Sequence, residues 1–390
     1  MKRSLLNVAA GIAVLAMSLI HAGPADASVS SGGSDAQRAE SGYAALQRYL
    51  AVHDGSGLYH EQYPAAAGDN AYSYEWPYSQ VHVATLDLTG MAGVGSRYRP
   101  ALEAHDSAQL RYWSAAGSTG LPGFASGAEP PYGPGGDFFY DDNEWVGLQD
   151  VQHWAMYHDS ASLSQARELF RLVQSGWDSD ASHADPGGVF WTQAPWSSDR
   201  NTVSNMPAAE LGLRLYQITG EREYLDWSLR MYRWTNTYLQ GPNGLFWDHL
   251  SLQGTVDQTI WSYNQGVPVG VNVLLYEVTH ERRYLDEAVR IAMAAQSYFA
   301  GDKLDAQPPF FNSIYFTNLL LLESVTHGST YSRAAQAYAD RIWATNRDPD
   351  PATGLFHFGG SAATQAIEQA AMVQIYAVLA WPRARDDLLY

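Results

Sequence analysis

Apolar positions along the chain follow two alternating patterns. After Glu281, the residues Tyr284, Leu285, Ala288, Ile291, Ala292, Ala295, Tyr298 and Phe299 fall at helical spacing and leave one polar face. The preceding segment, 264–278, is apolar nearly all round, as a helix covered on two sides must be. Within it, Val267-Pro268-Val269-Gly270-Val271 alternates like a strand. It aligns, however, with Asn205 to Ile218, whose Pro-Ala-Ala-Glu-Leu run is not strand-like, so it reads as helix. Pro207 and Pro268 are placed near the starts of their segments, where proline is tolerated.

The two patterns recur together. Tyr216-Gln217-Ile218-Thr219-Gly220-Glu221 and Tyr276-Glu277-Val278-Thr279-His280-Glu281 repeat in a register of sixty residues. A looser copy begins at Tyr157, and Leu88-Thr89-Gly90 echoes the same junction. Between copies lies a glycine turn followed by an apolar pair: Gly57-Leu58-Tyr59, Gly188-Val189-Phe190, Gly244-Leu245-Phe246 and Gly354-Leu355-Phe356. Six outer helices are predicted near 35–53, 98–114, 161–177, 221–239, 281–299 and 331–346, and six inner ones starting near 73, 141, 201, 262, 312 and 364. Alternating helices with the apolar member inward predict an all-α fold, a closed (α/α)6 toroid. An open solenoid would want a polar final repeat, and the last segment, Ala371 to Trp381, is apolar. All the long loops precede inner helices, so the inner starts crowd one end of the ring and should form a cleft there.

Composition adds to this picture. Of 390 residues, 46% are hydrophobic and 16% charged, which suits a packed core and excludes disorder as the general state. Lys2 and Arg3, the apolar run Leu5 to Ile20, and Ala25-Asp26-Ala27 read as an export signal spanning 1–27. Residues 28–34 read as a disordered leader, and 35–390 as a single domain. With no Cys there are no disulfides, and the end Arg383 to Tyr390 lacks the pattern of a lipid anchor. A secreted, extracellular protein free of the membrane after cleavage is expected. The net charge of −18 argues against nucleic acid and anionic lipid, and favours a neutral polymer as partner. A monomer is the expectation.

The candidate chemistry lies at the second inner helix, where Asp141 and Asp142 are adjacent. One reading is structural, since Asp141 through Glu144 fits a D-x-x-E capping box and acids suit a helix N-terminus. The other is catalytic. A retaining glycosidase needs one ionised and one protonated carboxyl about 5–5.5 Å apart, a spacing that neighbours can meet. The two readings are compatible. No H-E-x-x-H, G-x-S-x-G, G-x-G-x-x-G or P-loop pattern appears. His153 and His158 do not share a ligand-forming face. Asp178-Ser179-Asp180 and Asp348-Pro349-Asp350 do not complete a calcium loop, so no metal or other cofactor is expected.

Phe139-Tyr140-Asp141-Asp142-Asn143-Glu144-Trp145-Val146-Gly147-Leu148 resembles the catalytic segment of glycoside hydrolase family 76, the endo-α-1,6-mannanases. Gly187 to Trp191, Asn201 to Asn205, Gly244 to Asp248 and Tyr263 to Gly266 follow in the family's order, and the resemblance spans about 35–380. It implies an (α/α)6 barrel cutting α-1,6-mannan with retention, with Asp141 as nucleophile and Asp142 as general acid/base. Trp76, Tyr140 and Trp191 are candidate sugar platforms, each equally readable as core. Asn201, Asn205, Asn264 and Gln265 are candidate hydroxyl binders or helix caps, and Asp248 a candidate for a minus subsite. Asp257 reads as a solvated loop acid. Two rival functions remain open at this point: cell-wall transglycosylation, and glycan binding without catalysis.

Overall fold

The computed structural model describes residues 34–390. The signal read over 1–27 and the leader up to residue 33 lie outside the described residues. Ser34, assigned above to the leader, instead caps the first helix: its Oγ accepts from the Gln37 N–H, and the Gln37 side chain accepts from the Ser34 N–H.

Twelve α-helices alternate between outer and inner positions among the described residues. The outer ones are α1 (Asp35–Ala45), α3 (Arg99–Gln109), α5 (Ser160–Ser175), α7 (Arg222–Tyr238), α9 (Arg282–Tyr298) and α11 (Thr330–Thr345). The inner ones are α2 (Glu75–Gly90), α4 (Tyr140–Tyr157), α6 (Met206–Thr219), α8 (Tyr263–Thr279), α10 (Pro309–Thr326) and α12 (Ala366–Leu379). Each inner helix packs on the next, and α12 packs back on α2, so the inner ring is closed. The first outer helix packs against the last inner one, since α1 lies on α12. The long loops carry short strands: β1 (Gln62–Tyr63), β2 (Trp113–Ser114), β3 (Gly123–Phe124), β4 (Asp199–Asn201), β5 (His249–Ser251), β6 (Val256–Asp257) and β7 (Thr364–Gln365). Antiparallel β1–β7 pairing ties the first long loop to the last, and β4-β5-β6 form a three-stranded sheet.

The burial pattern explains the two sequence patterns. On α9 the predicted stripe Tyr284, Leu285, Ala288, Ile291, Ala292 and Ala295 is buried, whereas Tyr298 is exposed. Burying one such Leu or Ile side chain contributes roughly 1.5–3 kcal/mol. α8 and α12 are buried almost throughout because they face both the ring axis and an outer helix. The inner-to-outer junctions are tight for a shared reason: His158, Gly220, His280 and His327 all take left-handed backbone at the C-caps of α4, α6, α8 and α10. Gly220 takes it without steric cost, while the three histidines do so against a penalty. One placement needs correcting. Pro268 sits inside α8 rather than at its start, and the helix runs through it to Thr279. Its missing N–H leaves the Asn264 carbonyl without the usual helical donor.

Candidate active site

The inner-helix starts do converge at one mouth. Trp76 at the start of α2 lies edge-on to Phe310 (5.3 Å) and near Phe311 (6.1 Å) at the start of α10. Tyr263 of α8 stacks flat on Phe311 at 3.9 Å, and Trp261 meets it edge-on at 5.4 Å. Opposite them, Asp141 and Asp142 occupy the first turn of α4. The helix begins two residues earlier than a capping box led by Asp141 requires. Phe139 is the N-cap, no side chain caps it, and Glu144 is buried without a protein partner. Neither aspartate is therefore the N-cap of the helix.

Asp141 is almost fully buried, and its Oδ2 accepts the Trp191 indole N–H at 3.1 Å. Burial pushes its carboxyl up to about 7, opposed by that N–H and by the amides of Asp142 and Asp141, with the Asp248 charge adding to the rise. Asp142 is pushed well above the usual carboxylate range by burial, then by the charges of Asp141 and Glu75. No described group donates a hydrogen bond to stabilise its anion. Of the two, Asp141 is the one equipped to be ionised and Asp142 the one held protonated. Glu75, at the start of α2, is fully buried and pushed up to about 8 by burial, against one hydrogen bond from Gln109 (3.0 Å). It was not singled out in the sequence, where no pattern marks a lone acid at a helix start as buried.

Asp248 also reaches the site. Its backbone is fixed between β4 and β6, with its carbonyl accepting from Thr202 N–H and its N–H donating to Asp257. Its carboxylate accepts from Asn264 (3.3 Å) and bonds His249 Nδ1 (2.9 Å). That bond, followed by the charges of Asp199, Asp248 and Asp257, raises the His249 pKa against the effect of burial. Asp257 is exposed as expected, yet it offers a ligand-type atom close to Asp248 and His249, all within 4.8 Å of one another. His249 Nδ1 is already engaged by Asp248, so the trio reads as a charge cluster. Asn201 ends β4 opposite His249 in the strand register, is nearly buried, and its Oδ1 meets no protein donor.

Three of the candidates belong to the framework instead. Asn205 is fully buried: Oδ1 accepts from Val189 N–H (2.8 Å) and Nδ2 donates to the carbonyls of Asn201 (2.7 Å) and Val189 (3.3 Å). Gln265 repeats the arrangement with Phe246 N–H (2.8 Å) and the carbonyls of Phe246 (2.9 Å) and Trp261 (3.0 Å). With every amide group used, neither can bind a sugar. Both clamp a glycine-aromatic turn to the start of an inner helix. Tyr140 is buried as well, and its ring lies so close under Gly176 that a Cβ there would come within 2.5 Å. It is core, not a platform. Asn143, passed over in the sequence, is the equivalent clamp on α4, bonding Phe124 N–H (2.8 Å) and the carbonyls of Phe124 (3.0 Å) and Phe139 (2.8 Å). The two acidic pairs with a faint calcium look are also structural: Asp178 pairs with buried Arg200 at 2.7 Å, and Asp348 with His357 at 2.8 Å. A separate crevice of about 540 Å³ opens on the flank between α3 and α5, lined by His82, Asp106, Asp150 and His153, and contains none of the site residues.

Fold and site together define a helical toroid with an adjacent acid pair, differently biased, in an aromatic-walled mouth. The family model for glycosyl hydrolase family 76 matches residues 129–375, and the chain belongs to that family. It is 27% identical over 211 residues to the mannan endo-1,6-alpha-mannosidase DCW1 of Candida glabrata, covering 49% of this chain and 41% of that protein. It is 28% identical over 148 residues to the Candida albicans protein of the same name, covering 36% and 32%. The match thus spans under half the length of these relatives. Among solved structures, a family 76 mannosidase of Bacteroides thetaiotaomicron superposes with a TM-score of 0.78 at 23% identity, covering 89% of this chain and 98% of that one. An inactive variant of a Salegentibacter α-1,6-mannanase, carrying two aspartate replacements and bound to α-1,6-mannotriose, superposes with a TM-score of 0.70 at 19% identity, covering 89% and 99%. These neighbours bear out the (α/α)6 barrel.

Proposed function

We propose that this protein is an extracellular retaining glycosidase that cleaves α-1,6-mannosidic linkages in mannan. The observation that carries the reading is the unequal treatment of two adjacent carboxyls: Asp141 receives an indole N–H, and Asp142 receives charge repulsion and no donor. Asp141 attacks the anomeric carbon to form a mannosyl-enzyme while Asp142 protonates the departing glycosidic oxygen. Asp142 then takes a proton from the water that releases the sugar. The names of the fungal relatives and the mannotriose bound to the Salegentibacter neighbour support the substrate class. Extracellular action rests on the export pattern of residues 1–27.

The test is release of new reducing ends from linear α-1,6-mannan. Asp141→Asn and Asp142→Asn should each reduce it by at least about a thousandfold, with unchanged thermal midpoints or higher ones, since Asp141→Asn removes a buried charge and Asp142→Asn exchanges one neutral buried group for another. Undiminished release by either variant refutes the assignment. Retention is checked separately by the anomeric configuration of the first product.

A further inference from the structure

Trp196 is the most exposed tryptophan of the mouth, at 57%, and the sequence patterns did not single it out. Its exposure is built in. Ser197 N–H donates to the Ala194 carbonyl at 3.0 Å, closing a turn with Pro195 at its second position and Trp196 at its third. Proline presets the backbone there, so the indole is displayed at the tip. The stem of the turn is tied down: Thr192 pairs with Phe139, Gln193 N–H donates to the Phe138 carbonyl (2.9 Å), and Thr192 Oγ1 donates to that carbonyl too (2.8 Å). Tyr140 N–H in turn donates to the Trp191 carbonyl at 2.9 Å, fixing the turn to the start of α4.

Scattered exposed apolar residues need no explanation, but this ring is part of a row. Trp196 lies 5.9 Å from Trp191, and both rings contact Phe139, at 6.1 and 5.0 Å. Trp191 holds Asp141 through its N–H. The row therefore runs continuously from the reacting carboxyl outward to an open indole face. Mannan presents C–H faces that pack on aromatic rings, and sugar sites are commonly lined this way. We propose that Trp196 is a specificity-determining platform that stacks on a mannosyl unit beyond the one held at Asp141, favouring extended chains. The proposal rests on the mannan reading above and adds a subsite to it.

Affinity is measured in an Asp141→Asn/Asp142→Asn background, so that turnover does not intrude. α-1,6-Mannotetraose is followed by calorimetry and linear α-1,6-mannan by retardation in affinity gels. Trp196→Ala should raise the Kd for mannotetraose roughly three- to tenfold, the range of one aromatic contact. Trp196→Phe should recover most of that loss, because it restores a flat face without the indole N–H. Equal affinity with and without Trp196, an equal loss in the Phe and Ala variants, or no binding of mannan by the parent each overturns the proposal. Reducing-end release by the unaltered enzyme is a separate readout: its absence overturns the cleavage reading, while the affinity comparison still decides the platform.

Discussion

Replacing Trp191 with Phe probes the step on which the proposed chemistry depends. The substitution keeps a ring against Phe139 and Trp196 but removes the N–H that Asp141 Oδ2 accepts at 3.1 Å. Asp141 is nearly buried, so solvent will not replace that donor fully. A hydrogen bond to a charged group contributes about 1.5–3 kcal/mol. At 1.36 kcal/mol per pKa unit, the loss corresponds to about one to two units. The direction is fixed by which form the N–H favours. It stabilises the carboxylate, so its removal raises the Asp141 pKa above a value that burial has already pushed up to about 7. Asp141 must be ionised to attack, so the acidic limb of kcat/KM on mannooligosaccharides should move upward by one to two pH units. The two aspartates titrate as a pair, and the profile reads the lower macroscopic value. Activity at acidic pH should fall about ten- to a hundredfold and recover in part as pH rises. An acidic limb that stays where it was, with activity lost evenly at every pH, would mean Trp191 acts only by packing, and the reasoning fails.

Three further outcomes follow from the framework. Burial holds Glu75, Asp87 and Glu210 up to about 8, so between about pH 4 and 8 the folded chain keeps protons that the unfolded chain has released. Stability should therefore fall as pH rises through that window and level off below it. Glu210→Gln should flatten the slope of urea midpoints against pH, and an unchanged slope would count against Glu210 titrating in this way. His280→Gly relieves left-handed backbone that Gly220 occupies freely at the matching junction, and should raise the unfolding free energy by about 0.5–1 kcal/mol; a lower thermal midpoint would contradict it. Asn143→Ala and Gln265→Ala each remove three hydrogen bonds, two of them fully buried, and should cost a comparable ~2–4 kcal/mol in denaturant titrations. Only Asn143→Ala should also lower kcat more than about tenfold, because it alone adjoins the aspartate pair; equal kcat values in the two variants would break the link between clamp and site.

The toroid was legible because its repeat is periodic. Copies such as Tyr216 to Glu221 and Tyr276 to Glu281 fixed the junctions, and most helix boundaries fell within a few residues of expectation, α1 departing furthest by ending at Ala45 instead of 53. Asp141 and Asp142 stood out in the sequence because two adjacent carboxylates open an inner helix directly behind the aromatic pair Phe139 and Tyr140. Polar residues around them were harder to sort. Asn205 and Gln265 sit at the mouth in sequence, and nothing in their identity shows that a glycine turn far upstream presents bare backbone groups for them to satisfy. Tyr140 next to Asp141 looked like a platform, but helical geometry turns adjacent side chains about 100° apart, and its side faces Gly176. Trp196 was missed because a single aromatic in a loop has no periodicity to mark it, whereas the anchored Pro195 turn that displays it exists only in three dimensions.

The clamps also show how the site arises from the repeat. Aligning Asn143, Asn205, Gln265 and Gln369, each of which accepts from a backbone N–H of the glycine turn before its helix, places four pairs of residues just ahead of them. Those pairs are Asp141 and Asp142 on α4, Val203 and Ser204 before α6, Tyr263 and Asn264 on α8, and Ile367 and Glu368 on α12. The clamp is common, so each pair holds the same place relative to its glycine turn, and what differs is chemistry. On α4 the pair carries two acids. On α8 it supplies Tyr263 to the aromatic wall and Asn264 to Asp248, whose charge contributes to the Asp141 rise. The loop before α6 supplies Trp191, which opposes that rise. The balance that leaves Asp141 easier to ionise than Asp142 thus comes from neighbouring copies of one unit acting on a third, which a closed ring permits and an isolated hairpin would not.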